Sequence, residues 1–532
     1  MGGLVYATAL DNPFVYDDYL SVVQNPSIHP PLYLRSVLLY RATRPLVNAS
    51  YAIDRAIWGP GPFGFHLTSV LLHMLNVGLL FVLGMRVASD SQQVSSASAK
   101  PAIVGFASAV LFAVHPLMTE AVGYISGRSE VLCGTFLLVA ILAARNWMRD
   151  GGIRWWMLTM ISWVAALATK EIAAMLPLVL VCYDRLVLRG SAVERRRRLL
   201  RLHLPLFAMA AAGAVARIAV FLAIENRGAP SFHWQYGLVE LEVTLRYLML
   251  MAVPTSQSIF HQIMPIDGMA DARAWLAIGG TGAIVYIFWY ARRFNALATF
   301  GMFWFLLLLV PPAILVMLDR GEPMAEHRLY VAACGLFLTA GTTAAWLVAR
   351  IDGLGRRVTI TAYAFFAVAV LSLCGHTLVR NAIWGDPVML WVEAVQGAPQ
   401  HWRSWLLLGE ALYHADRGEE AVAAYKHALE LRPQELGGYV KLARYQTELG
   451  HLEEATETYE RLQHLDPESS IASTGLGTVA MMAGRPEEAR QHFLRSLDLY
   501  PQDTVARESL AEVEAIIAQN RSKPSGHESH PR

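Results

Sequence analysis

The sequence predicts an all-α protein in two parts: a polytopic bundle of membrane-crossing helices, followed by an α-solenoid of short paired helices. Three observations predict it. Of 532 residues, 55% are hydrophobic and only 16% charged, and mean hydropathy is +0.35, which departs strongly from soluble domains. From about residue 63 to 379, apolar runs follow one another, each near the ~20 residues that cross a ~30 Å hydrocarbon core. After that the hydropathy drops once, and prolines recur at 399, 433, 467 and 501, an interval of 34 residues.

Composition also excludes several classes. Lys+Arg 44 against Asp+Glu 43 leaves no bulk basic field for nucleic acid. The four cysteines, Cys133, Cys182, Cys334 and Cys374, lie in apolar runs without CxxC spacing and read as buried or lipid-level side chains rather than a disulfide scaffold. No HExxH, Walker loop, GxSxG or GxGxxG in context is present.

Residues 1–62 read as a first extracytoplasmic loop. Leu4-Val5-Tyr6-Ala7 is expected to be the end of a span that precedes the first residue; otherwise translocation of this loop depends on the next helix. The membrane part, 63–379, divides into about ten spans at roughly 63–86, 101–117, 130–147, 154–169, 171–188, 203–224, 274–291, 294–318, 329–349 and 358–379. Arginines collect in the connections holding Arg145/Arg149/Arg154, Arg185/Arg189/Arg195–Arg198/Arg201, Arg292/Arg293 and Arg350/Arg356/Arg357. These fall on one side if each span counts once, and that side is cytoplasmic. The opposite side holds 1–62, 118–129, the corner Ala168–Ile172, 225–273, 319–328 and everything after about 380. Residues 238–253 are apolar, yet one more crossing would invert the basic loops, so they are expected to form an interfacial or re-entrant helix.

The 34-residue period is that of the tetratricopeptide repeat. Trp405-Leu408-Gly409, Tyr439-Leu442-Ala443 and Leu476-Gly477 fill first-helix packing positions; Ala421/Tyr425/Ala428, Ala455/Tyr459/Leu462 and Ala489/Phe493/Ser496 fill those of the second. The repeats are placed at 402–435, 436–469 and 470–503, within a region 380–519 that starts with a half-repeat (Trp391, Ala394, Pro399) and closes with an amphipathic capping helix at 504–519. The polar tail 520–532 is expected to be disordered. Such arrays bind extended peptides or partner proteins and seldom do chemistry.

Candidate chemistry sits where polar groups meet the membrane part. Asp17-Asp18 form an acid pair whose neighbouring side chains point different ways, so one can face a substrate while the other packs; a solvated loop pair is the alternative. Thr169-Lys170-Glu171 form a corner between apolar runs, and His115, Glu120 and Arg128 flank 118–129. Ionisable groups at membrane depth are costly and tend to face a cavity or a partner, although snorkelling helix ends place them there too. Glu326-His327-Arg328 stand at the foot of span 329–349, where a cation can bind a lipid phosphate or anchor the interface. His73 and Asn76 read as helix–helix hydrogen-bonding groups. The sequons at Asn48 and Asn520 carry little weight alone.

FVYDDYLSVVQNP, then RPL, then PFGFHLTSVLLHMLNVGLL resembles the first extracytoplasmic loop and second span of the transmembrane and tetratricopeptide repeat O-mannosyltransferases. The likeness continues in LFAVHPLMTEAVGYISGRSEVLCGTF, TKEIAAMLPLVLVCYDRL, EHRLYVAACGLFL and RNAIWGDPVMLW. It departs in the absent first span, in having about three and a half repeats where animal members have more, and in His327 standing between Glu326 and Arg328. The resemblance implies a GT-C glycosyltransferase fold, multi-pass in the plasma or inner membrane with extracytoplasmic repeats. It implies transfer of a sugar from a polyprenyl-phosphate donor to a hydroxyl on protein or glycan, in a single inverting displacement. The family's acidic motif falls on Asp17 and Asp18, with Asp18 slightly preferred as base. Donor-phosphate groups fall on Arg128, Lys170, His327 and Arg328, supported by Glu120, Glu171 and Glu326. Beyond the donor lipid no cofactor is implied; adjacent acids could take a divalent metal, but metal-independent transfer is expected. A membrane-anchored repeat scaffold and a lipid-linked sugar transporter are the competing readings; the implied partners are the donor lipid, membrane lipid and an acceptor recruited by the repeats.

Overall fold

A computed structural model describes residues 2–91, 101–188, 190–220, 232–318, 321–351 and 354–522, which are helix, turn and loop with no strand among them. They divide into two compact units, Met1–Asp386 and Pro387–Arg532.

Among the described residues of the first unit, seven helices are long and apolar enough to cross a membrane: Pro62–Asp90, Ile125–Asp150, Ala192–Val215, Ala272–Ala291, Ala296–Met317, Glu326–Ile351 and Arg356–Gly385. An eighth crossing is formed if Pro101–Val114 and Pro116–Gly123, bent by 61° from one another, count together. Pro116 lies at the break, where its missing N–H prevents a continuous ladder. The expected spans 154–169 and 171–188 are shorter than a crossing needs. Helix Ile153–Leu167 has 15 residues and Leu176–Leu186 has 11, with a turn at Glu171–Met175 between them. The interfacial expectation for 238–253 falls on helix Gln235–Ala252, which is outside the crossing set. Glu240, Glu242 and Arg246 lower its apolarity, while Val239, Val243, Tyr247 and Leu250 are buried.

The buried Asp90 carboxylate is met by several donors. Asp90 accepts from Arg145 Nε at 2.6 Å and Nη2 at 2.7 Å, and also meets Arg149 and the Tyr183 hydroxyl. Close backbone approach sets the helix spacing elsewhere. A Cβ on Gly301 would lie 2.2 Å from the Gly335 carbonyl oxygen, and one on Gly335 2.3 Å from that of Gly301. Only glycine lets Ala296–Met317 and Leu329–Ile351 touch in this way.

In the second unit, three helix pairs follow the proline period: Trp402–His414 with Gly418–Leu431, Leu436–Glu448 with Leu452–Leu465, and Ser470–Met482 with Pro486–Leu499. Helix Pro387–Gly397 precedes them. The aromatic positions pack onto glycines of the partner helix: a Cβ on Gly409 would meet the Tyr425 ring at 2.9 Å, and one on Gly477 the Phe493 ring at 2.6 Å. The closing helix spans Thr504–Ser522, three residues beyond the expected end, and buries Ala506, Val513 and Ile517 against Phe493. The rest of the expected tail, 523–532, lies outside the described residues.

Gly301→Val is expected to overpack the membrane unit and destabilise it by about 1–3 kcal/mol. Thermal unfolding of the detergent-purified full chain, compared with a Gly279→Val control whose added Cβ meets nothing within 4 Å, checks it.

Candidate active site

Four stretches far apart in sequence converge at one end of the membrane unit: 12–18, 115–128, 254–261 and 324–328. Glu326 joins two of them. Its fully buried carboxylate accepts from the Ser258 N–H at 2.8 Å, Gln257 Nε2 at 2.9 Å and His261 Nε2 at 3.0 Å. Gln257 also donates to the Pro116 carbonyl at 3.1 Å, and His115 Nε2 lies 3.1 Å from the Met251 carbonyl, so this loop is pinned to the bent helix as well. The next residue, His327, donates its N–H to Glu120 Oε2 at 3.1 Å and places ring Nδ1 2.6 Å from Oε1. Glu120 is buried and within electrostatic reach of Arg380 and His261. Arg328 is half-buried. It donates to the Pro323 carbonyl at 3.2 Å, no carboxylate among the described residues forms an ion pair with it, and Glu171 and Glu240 lie within its electrostatic reach.

The acid pair divides. Asp18 is fully buried; Oδ1 accepts from the Ser126 N–H and hydroxyl, both at 2.8 Å, and Oδ2 from the Val15 N–H at 3.2 Å. Burial pushes its carboxyl up to about 7, against the pull of those hydrogen bonds. Asp17 is exposed, and only its backbone is fixed, by N–H donation to the Tyr124 hydroxyl at 3.1 Å. Tyr16 before it has φ +49°, in the left-handed region that costs a bulky L-residue. Its ring stands edge-on to Phe260, centroids 5.7 Å apart, one residue from His261. The acid loop and the Glu326 loop therefore meet.

Arg128 and Lys170, both expected at a donor phosphate, are each enclosed in buried ion pairs. Arg128, 0% exposed, has Nη1 2.5 Å from Asp54 Oδ2, bonds to Ser50, Ser69 and the Phe65 carbonyl, and stacks over Tyr51. Lys170 Nζ lies 2.5 Å from Glu130 Oε1, with both groups buried. Their charge is neutralised before any ligand arrives. Glu171 instead faces Arg44, 3.6 Å away, in a half-exposed pair. The Asn48 sequon is spent on the fold: its amide donates to Ser27 Oγ at 2.9 Å and to the Val37 carbonyl at 2.6 Å, and the residue is buried.

Sequence reading missed Ser126, Glu130, Glu240 and His261; Arg44 was marked only as following the Asp17-Asp18 stretch, without a role. Glu240 is buried on helix Gln235–Ala252, and burial raises its carboxyl to about 7 while Arg328 opposes the shift. His261 lies in an irregular loop without periodicity or motif, so no local signal could mark it. Among the described residues no group of three or more His, Cys, Asp and Glu side chains is placed to hold a metal ion.

The tetratricopeptide repeat family profile matches residues 390–435 and 440–504. Over 520 aligned residues the chain is 22% identical to mouse protein O-mannosyl-transferase TMTC3, with 84% of this chain and 52% of that protein covered. It is 23% identical over 450 residues to the Caenorhabditis elegans protein O-mannosyl-transferase F38B6.6, covering 80% of this chain and 61% of that protein. The chain thus spans about half the length of the curated relatives it matches, and the likeness takes in both the membrane unit and the repeats. Among solved structures, the Arabidopsis OM64 TPR domain matches 21% of this chain and 94% of its own at 23% identity, with a TM-score of 0.21.

Asp54→Asn is expected to leave Arg128 buried without its counter-charge and to cost about 3–5 kcal/mol, read as loss of monodisperse folded protein. Asp18 gives a second expectation. Because the folded chain holds its proton up to about 7 while the unfolded chain releases it near pH 4, its contribution is whole below pH 4 and lost as pH rises towards 7. Thermal stability of Asp18→Asn should lack that decline when compared with wild type across the same pH series.

Proposed function

We propose that the chain is an integral membrane glycosyltransferase that moves a sugar from a polyprenyl-phosphate donor to a hydroxyl on protein or glycan at the extracytoplasmic face. The observation that carries this reading is the contact of the strained loop bearing the exposed acid Asp17 with the loop that binds Glu326, the residue before His327 and Arg328. The likeness to protein O-mannosyl-transferases across most of this chain supports the same class.

Asp17 is the base. A base must reach the acceptor proton, and Asp17 is exposed whereas both Asp18 oxygens are taken up inside the fold. As the acceptor oxygen bonds to the anomeric carbon, Asp17 takes its proton and the bond from that carbon to the phosphate oxygen breaks. The electron pair leaves with the phosphate and the anomeric configuration inverts. Positive charge must meet the departing phosphate. Arg328, without a carboxylate partner among the described residues, supplies it, with Arg44 and the His327 ring nearby in the same layer. Arg128, Lys170, Asp18 and Glu326 then hold the layer in shape. Glu120 orients His327, and Glu171 sets the local field at Arg44. The step needs no metal; the repeats recruit the acceptor on the same face.

Sugar transfer in membranes expressing the full chain, with radiolabelled polyprenyl-phosphate sugars and excess chelator, tests the reading. Asp17→Asn at matched expression should lose about 10²–10⁴ in rate with the fold intact. Arg328→Ala should chiefly raise KM for the donor. A wild-type chain that transfers no sugar, or an Asp17→Asn variant that transfers normally, would overturn it and favour an anchored scaffold or a lipid-linked sugar transporter.

A further inference from the structure

At the other end of the membrane unit lies a cavity of about 750 Å³ that the proposed chemistry does not use. It is lined by the C-terminal end of Leu176–Leu186, the end of Ala272–Ala291 and the start of Ala296–Met317, the helix ends remote from Glu171 and Met317. Its polar lining is Ser91 with three guanidinium groups, Arg185, Arg292 and Arg293, and no carboxylate lines it among the described residues. Val181, Leu186, Val187, Trp289 and Phe303 form the apolar walls.

Two of the arginines are positioned by their own helix. Arg292 lies 3.8 Å over the Trp289 ring and Arg293 3.7 Å over that of Tyr290, and each donates to the backbone carbonyl of that aromatic residue. These contacts fix the side chains but supply no formal negative charge. Three cations around one cavity repel one another, and an anion entering between them relieves that repulsion. Guanidinium geometry favours a phosphate oxygen pair. The walls select further: a half-exposed Trp289 beside aliphatic and phenyl surface suits the glycerol and first methylenes of an amphiphile better than a bare ion.

We propose that this cavity binds the phosphate headgroup of an anionic bilayer phospholipid. The site is independent of the glycosyltransferase reading. By the distribution of basic loops it faces the cytoplasmic leaflet, the side on which basic pockets between helices meet acidic lipid.

Native mass spectrometry of the detergent-purified full chain with phosphatidylglycerol, phosphatidylcholine and inorganic phosphate tests it. Phosphatidylglycerol should bind in preference to phosphatidylcholine, and binding should weaken with salt. Each of Arg185→Gln, Arg292→Gln and Arg293→Gln should cost about fivefold in affinity. Leu186→Trp, which narrows the cavity and keeps every arginine, should reduce phosphatidylglycerol retention as well, so the test does not hang on one variant that folds poorly. Equal binding of the two lipids, or undiminished phosphatidylglycerol binding in folded arginine variants, would overturn the proposal. So would displacement of the lipid by inorganic phosphate at equal concentration, which would assign the cavity to a free anion.

Discussion

The ion pair of Arg128 with Asp54 is the contact on which the layer above the bundle depends. A guanidinium sealed in the fold must be met by a carboxylate and by acceptors for its other N–H groups, and the chain brings these from two helices. Asp54 and Ser50 come from helix Pro45–Trp58, while Ser69 and the Phe65 carbonyl come from Pro62–Asp90. Arg128 itself opens Arg128–Asp150. Two residues before it, Ser126 gives both of its donors to Asp18. The placement of the acid loop thus descends from a salt bridge that touches no substrate: Arg128 fixes its turn, the turn fixes Asp18, and Asp18 fixes the residue beside it.

Glu326 does the same work from the other direction. One carboxylate with three donors holds residues 257–261 against the turn that carries His327 and Arg328. Removing the charge at the centre of such a set strands several donors at once, so it acts on geometry before it acts on any reaction. Among the ionisable groups gathered here, most are committed to one another, and exposure is kept for few. Asp17 is exposed and Arg328 half-buried, one able to take a proton and the other to meet a phosphate.

What the sequence discloses follows from the range of the forces involved. The repeats were legible because helix pairing in a solenoid is local and recurs every 34 residues; Tyr425 packs on Gly409 sixteen positions away. Apolar runs disclosed most crossings because lipid acts on each segment alone, yet Ile153–Leu167 and Leu176–Leu186 are too short by the same measure. The roles of individual charges were not legible. Arg128 meets a carboxylate 74 residues earlier and Lys170 one 40 residues earlier, so a basic residue at a membrane corner looks alike whether it is neutralised or available. Adjacent acids gave no sign of which would be buried, and His261 had no pattern to betray it.

The division between Asp17 and Asp18 rests on one backbone torsion. With Tyr16 in the left-handed region, the chain turns sharply between Val15, whose N–H binds Asp18, and Asp17, whose N–H binds Tyr124. A tyrosine there costs about 1–3 kcal/mol, which glycine would avoid. Glycine, however, would forgo the ring that meets Phe260, and with it the contact between the acid loop and the loop bearing His261. The strained torsion and the aromatic contact belong to the same residue, and together they keep an exposed carboxylate within the layer that holds Arg328. A relaxed loop would solvate both acids alike and leave neither held for proton transfer.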